Sequence, residues 1–339
     1  MEKIAILGSG SWGTTLAKIL AEKENQVTLW GRNPEIIEAI RVERENKKYL
    51  KNIKMPENLN ITSSIDEALE GANIVILAVT SQSNRETLKK MKGLIDEDTI
   101  IVNVSKGLEI NTNKRASEVV AEIFPENRFV VLSGPSHAEE VAINMPTTLV
   151  SASKSSEAML KIQELFINST VRVYTNGDVT GVELAGAFKN IIALGIGVID
   201  GLGFGDNTKA AMMTRGLVEI VRLSVALGAD VSTFFGLAGM GDLIVTCTSP
   251  HSRNRRAGIL IGRGYTLEQT QNEINMVVEG INSTKIAYDL SRKLGIEMPI
   301  VTEMYKVIFE NAEIKTAISN LMSRDKKYEN EELIHIKIV

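Results

Sequence analysis

Short runs rich in valine and isoleucine alternate with helical patterns through the first half of the chain. The runs at residues 3–8, 26–30, 73–79, 99–104, 129–132, 147–151 and 171–174 read as strands. Strands separated by helix-length segments predict βαβ units and a mainly parallel sheet. Residues 14–24, between the first two strands, predict a crossover helix. From about Asp178 the texture changes, and apolar residues recur at three- and four-residue spacing over long stretches, the period of a buried helix face. The shift separates an α/β domain over residues 1–177 from a helical domain over residues 178–339, a length that suits two cores better than one. One helix of the second half is predicted to start at Asp206 or Asn207, either of which can cap it, and to end at Gly228 in a left-handed C-cap. The tail after Leu321, with Arg324, Lys326, Lys327 and several glutamates, adds no pattern.

Composition narrows the function classes. With 44% hydrophobic and 24% charged residues the chain matches ordinary globular proteins rather than disordered or fibrous ones. The uncharged stretch 4–17 contains three glycines and falls short of the roughly 20 apolar residues of a membrane span, so no transmembrane helix is expected. The N-terminus reads as a strand entering a glycine turn rather than as a signal peptide, which makes the cytoplasm the expected compartment. The single cysteine, Cys247, cannot form an internal disulfide and fits a reducing environment. A formal net charge of −4 argues against nucleic acid as a partner. No metal site is expected.

The segment KIAILGSGSWG sets Gly8, Gly10 and Gly13 in a G-x-G-x-x-G pattern after a strand and before a helix. The first glycine permits a tight turn, the second lets backbone approach a pyrophosphate, and the third lets helix pack closely on strand. With strand, helix and second strand in order, dinucleotide binding outweighs an ordinary strand-to-helix turn. About 20 residues further on, an acidic side chain would hold the ribose hydroxyls of NAD, whereas arginine accommodates the 2′-phosphate of NADP. This chain has LWGRN there, and Arg32 favours NADP(H) without excluding NAD(H); the plain alternative is a solvated loop arginine.

Two lysines carry candidate chemistry. Lys106 in NVSKGLE follows a strand at the carboxyl edge of the sheet, where ligands of open parallel sheets bind. Lys189 lies in GVELAGAFKNIIALGIGVI on an apolar helix face of small residues. It either snorkels to the surface or sits beside a ligand, and the density of Gly and Ala, which leaves room, favours the ligand. Further on, GLAGMGDLIVTCTSPHSRNRRAG places Asp242 in a glycine-rich loop. Ser252, Arg253, Asn254, Arg255 and Arg256 follow at a helix start. Hydroxyl, guanidinium and amide donors there suit a phosphate monoester, although Ser252 alone reads as an N-cap. Cys247 and His251 read as packing or as support behind the site, and His137 in GPSHAEE is a candidate catalytic histidine, with a structural turn the favoured reading.

The order and spacing of GSGSWGT, NVSKGLE, GPSHAEE, AFKN, GDNTKAAMMTRGL, GMGDLIVTC, SPHSRNRRAG and VVEG resemble those of bacterial NAD(P)-dependent glycerol-3-phosphate dehydrogenases, from the first strand to roughly Leu321. The resemblance implies a Rossmann-like N-terminal domain, an all-α C-terminal domain and a role in supplying the glycerol backbone of phospholipids. It implies that Lys189 is the acid/base, and that Lys106, Gly134, Ser136, Lys189, Asp242, Ser252, Arg253 and Asn254 hold the substrate. Ser11, Trp12, Arg32, Lys106, Ala138, Arg253, Val277 and Glu279 would touch NADP(H), with Tyr49 a candidate on the adenosine side. A homodimer is compatible with this reading. The rival readings are another NADP-linked hydroxyacid or sugar-phosphate dehydrogenase, such as a 6-phosphogluconate type, and a catalytically silent NADP(H)-binding regulator.

Overall fold

The computed structural model describes residues 2–326, 328 and 329; Lys327 of the basic tail cluster lies outside the described residues. The chain forms two compact units, residues 1–109 with 114–179, and residues 110–113 with 180–339. The first is built on an eight-stranded sheet of β1 (Lys3–Leu7), β2 (Gln26–Trp30), β5 (Asn60–Thr62), β6 (Ile74–Leu77), β7 (Ile100–Asn103), β8 (Phe129–Ser133), β9 (Thr147–Ala152) and β10 (Val171–Asn176). Between β2 and β5 a separate hairpin pairs β3 (Glu45–Asn46) with β4 (Leu50–Lys54). The order across the sheet is β10-β9-β8-β7-β6-β1-β2-β5. Every pairing is parallel except β8 with β9.

The sequence of the central strands explains their position. KIAIL, IVIL and IIVN are apolar almost throughout because a parallel strand with cover on both faces needs no polar side. Successive side chains point to opposite faces. Ile4, Ile6, Ile74, Ile76, Ile100 and Val102 enter one core, while Ala5, Leu7, Val75, Leu77 and Ile101 enter the other. The three strands that the sequence pattern misses have little such signal: β5 is a three-residue edge strand, and β4 is largely exposed. The first crossover helix spans Ser11–Ala21, three residues earlier than its apolar periodicity suggests, so Ser11 and Trp12 occupy its first turn.

The second unit is helical. Its first helix, Val179–Gly201, corrects the membrane expectation in one respect: it is long and apolar enough to cross a membrane. Glu183, Lys189 and Asp200 interrupt its apolar sequence, so it contains no long uncharged run. Its most apolar window is 100% buried inside the protein. A second stretch, Val231–Thr248, passes the same test of length and hydropathy with 44% of it buried.

Two glycines near the end of Val179–Gly201, Gly197 and Gly201, serve helix packing. A Cβ on Gly197 would stand 2.0 Å from the Arg255 carbonyl oxygen, and one on Gly201 would stand 2.5 Å from that of Ile259. Facing them, Gly258 and Gly262 would meet the Leu194 and Val198 carbonyls at 2.0 and 2.4 Å. The glycines therefore bring this helix against the helix Arg253–Gly262 backbone to backbone, and the space they leave is taken by that helix rather than by a ligand. The helix Asp206–Ala226 is capped by Gly205 rather than Asp206 or Asn207. Asp206 stands one residue inside and pairs with Lys209. Gly228 follows the helix at φ +91°, the left-handed residue expected there.

Glu219 on that helix is buried and accepts hydrogen bonds from the backbone N–H groups of Ile300 (2.8 Å) and Val301 (3.2 Å), at the start of the helix Pro299–Phe309. Burial pushes its carboxyl up to about 7, against the opposing pull of those N–H groups, Arg222 and Arg324. A carboxyl that binds its proton more tightly when folded contributes stability that is complete below its unfolded value of about 4.5 and is lost as pH rises through about 7. Raising the pH from 5 to 8 should thus lower the unfolding free energy, through this group, by on the order of 3 kcal/mol. In Glu219→Gln that part of the slope should vanish, as read by denaturant unfolding at the two pH values; an unchanged slope would show that Glu219 does not titrate there.

Candidate active site

In the sheet unit the glycine turn leaves β1 at Gly8, whose φ of +128° favours glycine and whose Cβ would stand 2.4 Å from the Ala78 carbonyl oxygen. Gly13 packs its Cα onto the same turn, since a Cβ there would lie 2.0 Å from the Gly8 carbonyl oxygen. Gly10 is different: a Cβ would meet nothing within 4 Å. Gly8 and Gly13 are therefore required by the fold itself, while Gly10 keeps open the side from which a ligand can reach the backbone. Gly10 is also the N-cap of the helix Ser11–Ala21 and no side chain caps that end, which suits the first-turn N–H groups to a pyrophosphate.

Arg32 stands two residues beyond β2 and is exposed. Gly31 before it lets Ser9 of the glycine turn come close, because a Cβ would lie 2.4 Å from the Ser9 hydroxyl. Half-buried Tyr49 lies in the turn of the β3–β4 hairpin. Lys106 follows β7, and its ammonium donates to the Gly134 carbonyl at 2.9 Å; the Ser136 hydroxyl donates to the same oxygen at 2.9 Å. Gly134 itself sits at φ +126° just past β8. The structure thus gathers Lys106, Gly134 and Ser136 at neighbouring strand ends.

The Lys106 loop is braced by Asn103, a residue the sequence reading passed over. Its amide donates to the Ser105 carbonyl at 3.0 Å and its Oδ1 accepts from the Ser105 hydroxyl at 2.8 Å. Ala138 opens the helix Ala138–Ala142, and its carbonyl accepts from the Thr15 hydroxyl at 3.1 Å. His137 stands at the N-cap of that helix without a side-chain capping bond.

In the helical unit Lys189 is 5% exposed and Asp242 is 1% exposed. The Lys189 ammonium donates to Asp242 Oδ1 and, at 2.6 Å, to the Thr246 hydroxyl oxygen. The Thr246 hydroxyl donates in turn to the Asp242 backbone carbonyl at 2.6 Å. That commits the hydroxyl proton and leaves its oxygen to face the lysine. Asp242 does not lie in a loop as expected. It opens the helix Asp242–Thr248 directly after a single π-helical turn, Leu237–Gly241, and Thr246 follows one helical turn later. Unpaired, a buried ammonium is very costly; the carboxylate and hydroxyl compensate it, so Lys189 does not snorkel.

Ser252 caps the helix Arg253–Gly262 by accepting from the Arg255 N–H at 3.2 Å. Arg253 donates to the Val277 carbonyl at 3.3 Å. Asn254 donates to Asn190 Oδ1 and accepts from the Gly280 N–H, both at 2.8 Å, which links the residue after Lys189 to the start of the helix Glu279–Leu294. Arg255 is tied to Asp200 at 2.7 Å and is structural. Cys247 is 1% exposed, and burial pushes its thiol up to about 12, so it remains protonated and unreactive. Asn190 and Thr246 escaped the sequence reading. The signals that could have found them are adjacency to Lys189 and the four-residue spacing from Asp242, which puts both side chains on one helix face.

A glycine turn open to a pyrophosphate, a lysine at another strand end of the same sheet, and a buried lysine–carboxylate pair on helices define a dinucleotide-linked oxidoreductase. The family model for the N-terminus of NAD-dependent glycerol-3-phosphate dehydrogenase matches residues 3–159 and that for its C-terminus matches residues 178–319, and the chain belongs to this family. A glycerol-3-phosphate dehydrogenase [NAD(P)+] of Clostridium perfringens (strain SM101 / Type A) is 53% identical over 97% of this chain and 99% of its own length. One from Thermoanaerobacter sp. (strain X514) is 54% identical over 96% and 98%. The crystal structure of glycerol-3-phosphate dehydrogenase from Coxiella burnetii superposes with a TM-score of 0.92 at 39% identity, covering 95% of this chain and 99% of that one. The resemblance carried by the motifs is borne out.

The open side of Gly10 gives a clean separation of fold from ligand. Gly10→Ala should leave the unfolding temperature close to that of the wild type, since its backbone at φ −72° suits alanine and nothing is in the way, which offsets alanine's weaker N-cap preference. NADPH affinity, read by fluorescence titration, should fall by about tenfold or more, since a methyl group would hold the pyrophosphate off the backbone. Unchanged affinity would place the dinucleotide elsewhere.

Proposed function

We propose that this chain transfers a hydride between NADP(H) or NAD(H) and the glycerol 3-phosphate/dihydroxyacetone phosphate pair, supplying sn-glycerol 3-phosphate for phospholipid synthesis. The observation that carries the proposal is the buried Lys189–Asp242–Thr246 cluster. A lysine ammonium there can give a proton to a ketone oxygen as it becomes an alkoxide, and in the reverse direction neutral Lys189 takes the hydroxyl proton. The nicotinamide, when bound, supplies or accepts the hydride. Asp242 holds the ammonium in place and stabilises its charge, and Thr246 fixes its direction.

The remaining roles are assigned residue by residue. Gly8, Gly10, Ser11, Trp12 and Gly13 take the pyrophosphate side of the cofactor. Arg32 and Tyr49 take the adenosine side, and Lys106, Ala138, Arg253, Val277 and Glu279 contact it elsewhere. Lys106, Gly134, Ser136, Lys189, Asp242, Ser252, Arg253 and Asn254 hold the substrate. Binding energy at its phosphate aligns the reacting carbon. Residues 1–177 form the cofactor domain and 178–339 the substrate and catalytic domain. The single buried thiol fits a cytoplasmic enzyme, and a homodimer is its proposed assembly.

A steady-state assay with dihydroxyacetone phosphate and with 6-phosphogluconate, run with both cofactors, separates this proposal from its rivals. Turnover of the triose phosphate supports it. Turnover of 6-phosphogluconate alone, or cofactor binding without turnover of either, would overturn it.

Two substitutions resolve the ends of the ligands. Arg32→Asp should lower kcat/KM for NADPH much more than for NADH, because a carboxylate then meets the 2′-phosphate; an equal fall with both would make Arg32 structural. Arg253→Ala should raise the KM for dihydroxyacetone phosphate at least tenfold and weaken the preference over unphosphorylated dihydroxyacetone, since a charge-assisted contact is typically about 1.5–3 kcal/mol. Undiminished discrimination between the two ketones would move the phosphate site elsewhere.

A further inference from the structure

The β3–β4 hairpin lies outside the main sheet, yet one of its residues is among the most completely buried polar groups in the chain. Asn46 is 0% exposed. Its amide nitrogen donates to the Ser9 carbonyl at 2.9 Å and to the Thr14 hydroxyl at 2.8 Å. Its Oδ1 accepts from the Tyr49 N–H at 3.2 Å. Both amide hydrogens thus go to the glycine turn and the helix that follows it, while the carbonyl end holds the hairpin turn in which Tyr49 stands.

We infer that Asn46 is a positioning residue for the cofactor, setting the conformation of the Gly8–Gly13 turn and fixing the Tyr49 turn to it. Ser9 lies between the two glycines that must differ in conformation, Gly8 at φ +128° and Gly10 at φ −72°. A glycine-flanked peptide has little conformational preference of its own. A buried donor on the Ser9 carbonyl selects one orientation of that peptide, and with it the direction of the neighbouring N–H groups. Thr14 adds a second anchor: its backbone N–H donates to the Gly10 carbonyl at 2.9 Å while its hydroxyl accepts from Asn46. The geometry gives one amide side chain hold of the turn at Ser9, the helix at Thr14 and the hairpin at Tyr49. Aspartate cannot replace it at Ser9, because a carboxylate has no donor for that carbonyl, even though the Thr14 hydroxyl could turn to donate to it.

The inference rests on the reading of this turn as the cofactor site, and the experiment keeps the two apart. NADPH and NADH are titrated by fluorescence onto the wild type, Asn46→Ser, Asn46→Leu and Thr14→Val, with unfolding temperatures and steady-state kinetics of each. Because the turn serves the pyrophosphate that both cofactors share, the Asn46 variants should lose affinity for both by about tenfold and to the same extent, the scale of buried acceptors deprived of their donor. At saturating cofactor, kcat and the KM for dihydroxyacetone phosphate should stay close to wild type. Thr14→Val, which removes one of the two acceptors and keeps the shape, should show a smaller loss in the same pattern and covers the case in which the Asn46 variants fail to fold. Lowered unfolding temperature with unchanged cofactor affinity in the folded variants would make Asn46 merely structural and overturn the inference. So would a loss confined to NADPH. If the wild type binds neither cofactor, the proposed function falls and this inference with it.

Discussion

Placing a lysine ammonium at 5% exposure among apolar helices is the constraint around which the helical unit is arranged. An isolated buried charge is unaffordable, and ion pairs in the interior gain little unless the remaining donors and acceptors are also satisfied. Asp242 supplies the countercharge and Thr246 the second acceptor. The π-helical turn at Leu237–Gly241 delivers Asp242 at the first residue of its helix, and one further turn brings Thr246 alongside. Gly239 belongs to the same requirement, since a Cβ there would stand 2.3 Å from the Phe234 carbonyl oxygen. Removing one partner of such a pair typically costs about 3–5 kcal/mol, so Lys189 and Asp242 depend on each other for stability.

The same economy appears in the sheet unit, where glycines serve two distinct ends. Gly8 and Gly13 are required by backbone contacts within the protein, whereas Gly10 is clear of them. Two positions of the motif are therefore folding constraints, and only its middle position is free of contacts within the protein. Lys106 and Ser136 converge on the Gly134 carbonyl by a related device, with strand ends fixing the loops that carry them.

Legibility followed physical redundancy. β1, β6 and β7 were readable because strands covered on both faces leave short apolar runs rich in Val and Ile, set between helix-length segments. β5 and the β3–β4 hairpin were not, because short or exposed strands take their order from neighbours. Lys106, Lys189 and Asp242 stood out through their chemistry and the order of motifs. Their supports, Asn103, Thr246, Asn190 and Asn46, did not, because a hydrogen bond across the fold leaves no periodic mark in sequence. Gly197 and Gly201 show a further limit of sequence: small residues look alike whether they admit a ligand or, as these two do, another helix.

The central claim, that Lys189 acts as acid/base rather than only as a buried countercharge, is tested most directly by the turnover of Lys189→Arg. Arginine keeps a cation beside Asp242 but holds its proton at any ordinary pH, so it retains the electrostatic role and loses the chemical one. The account predicts a folded protein that binds NADPH nearly as well as the wild type, with kcat for dihydroxyacetone phosphate reduction lower by about 10²- to 10⁴-fold, the usual contribution of a positioned acid or base. Turnover within a few-fold of the wild type would contradict it and leave the proton donor to be sought elsewhere, with Lys106 the first to test.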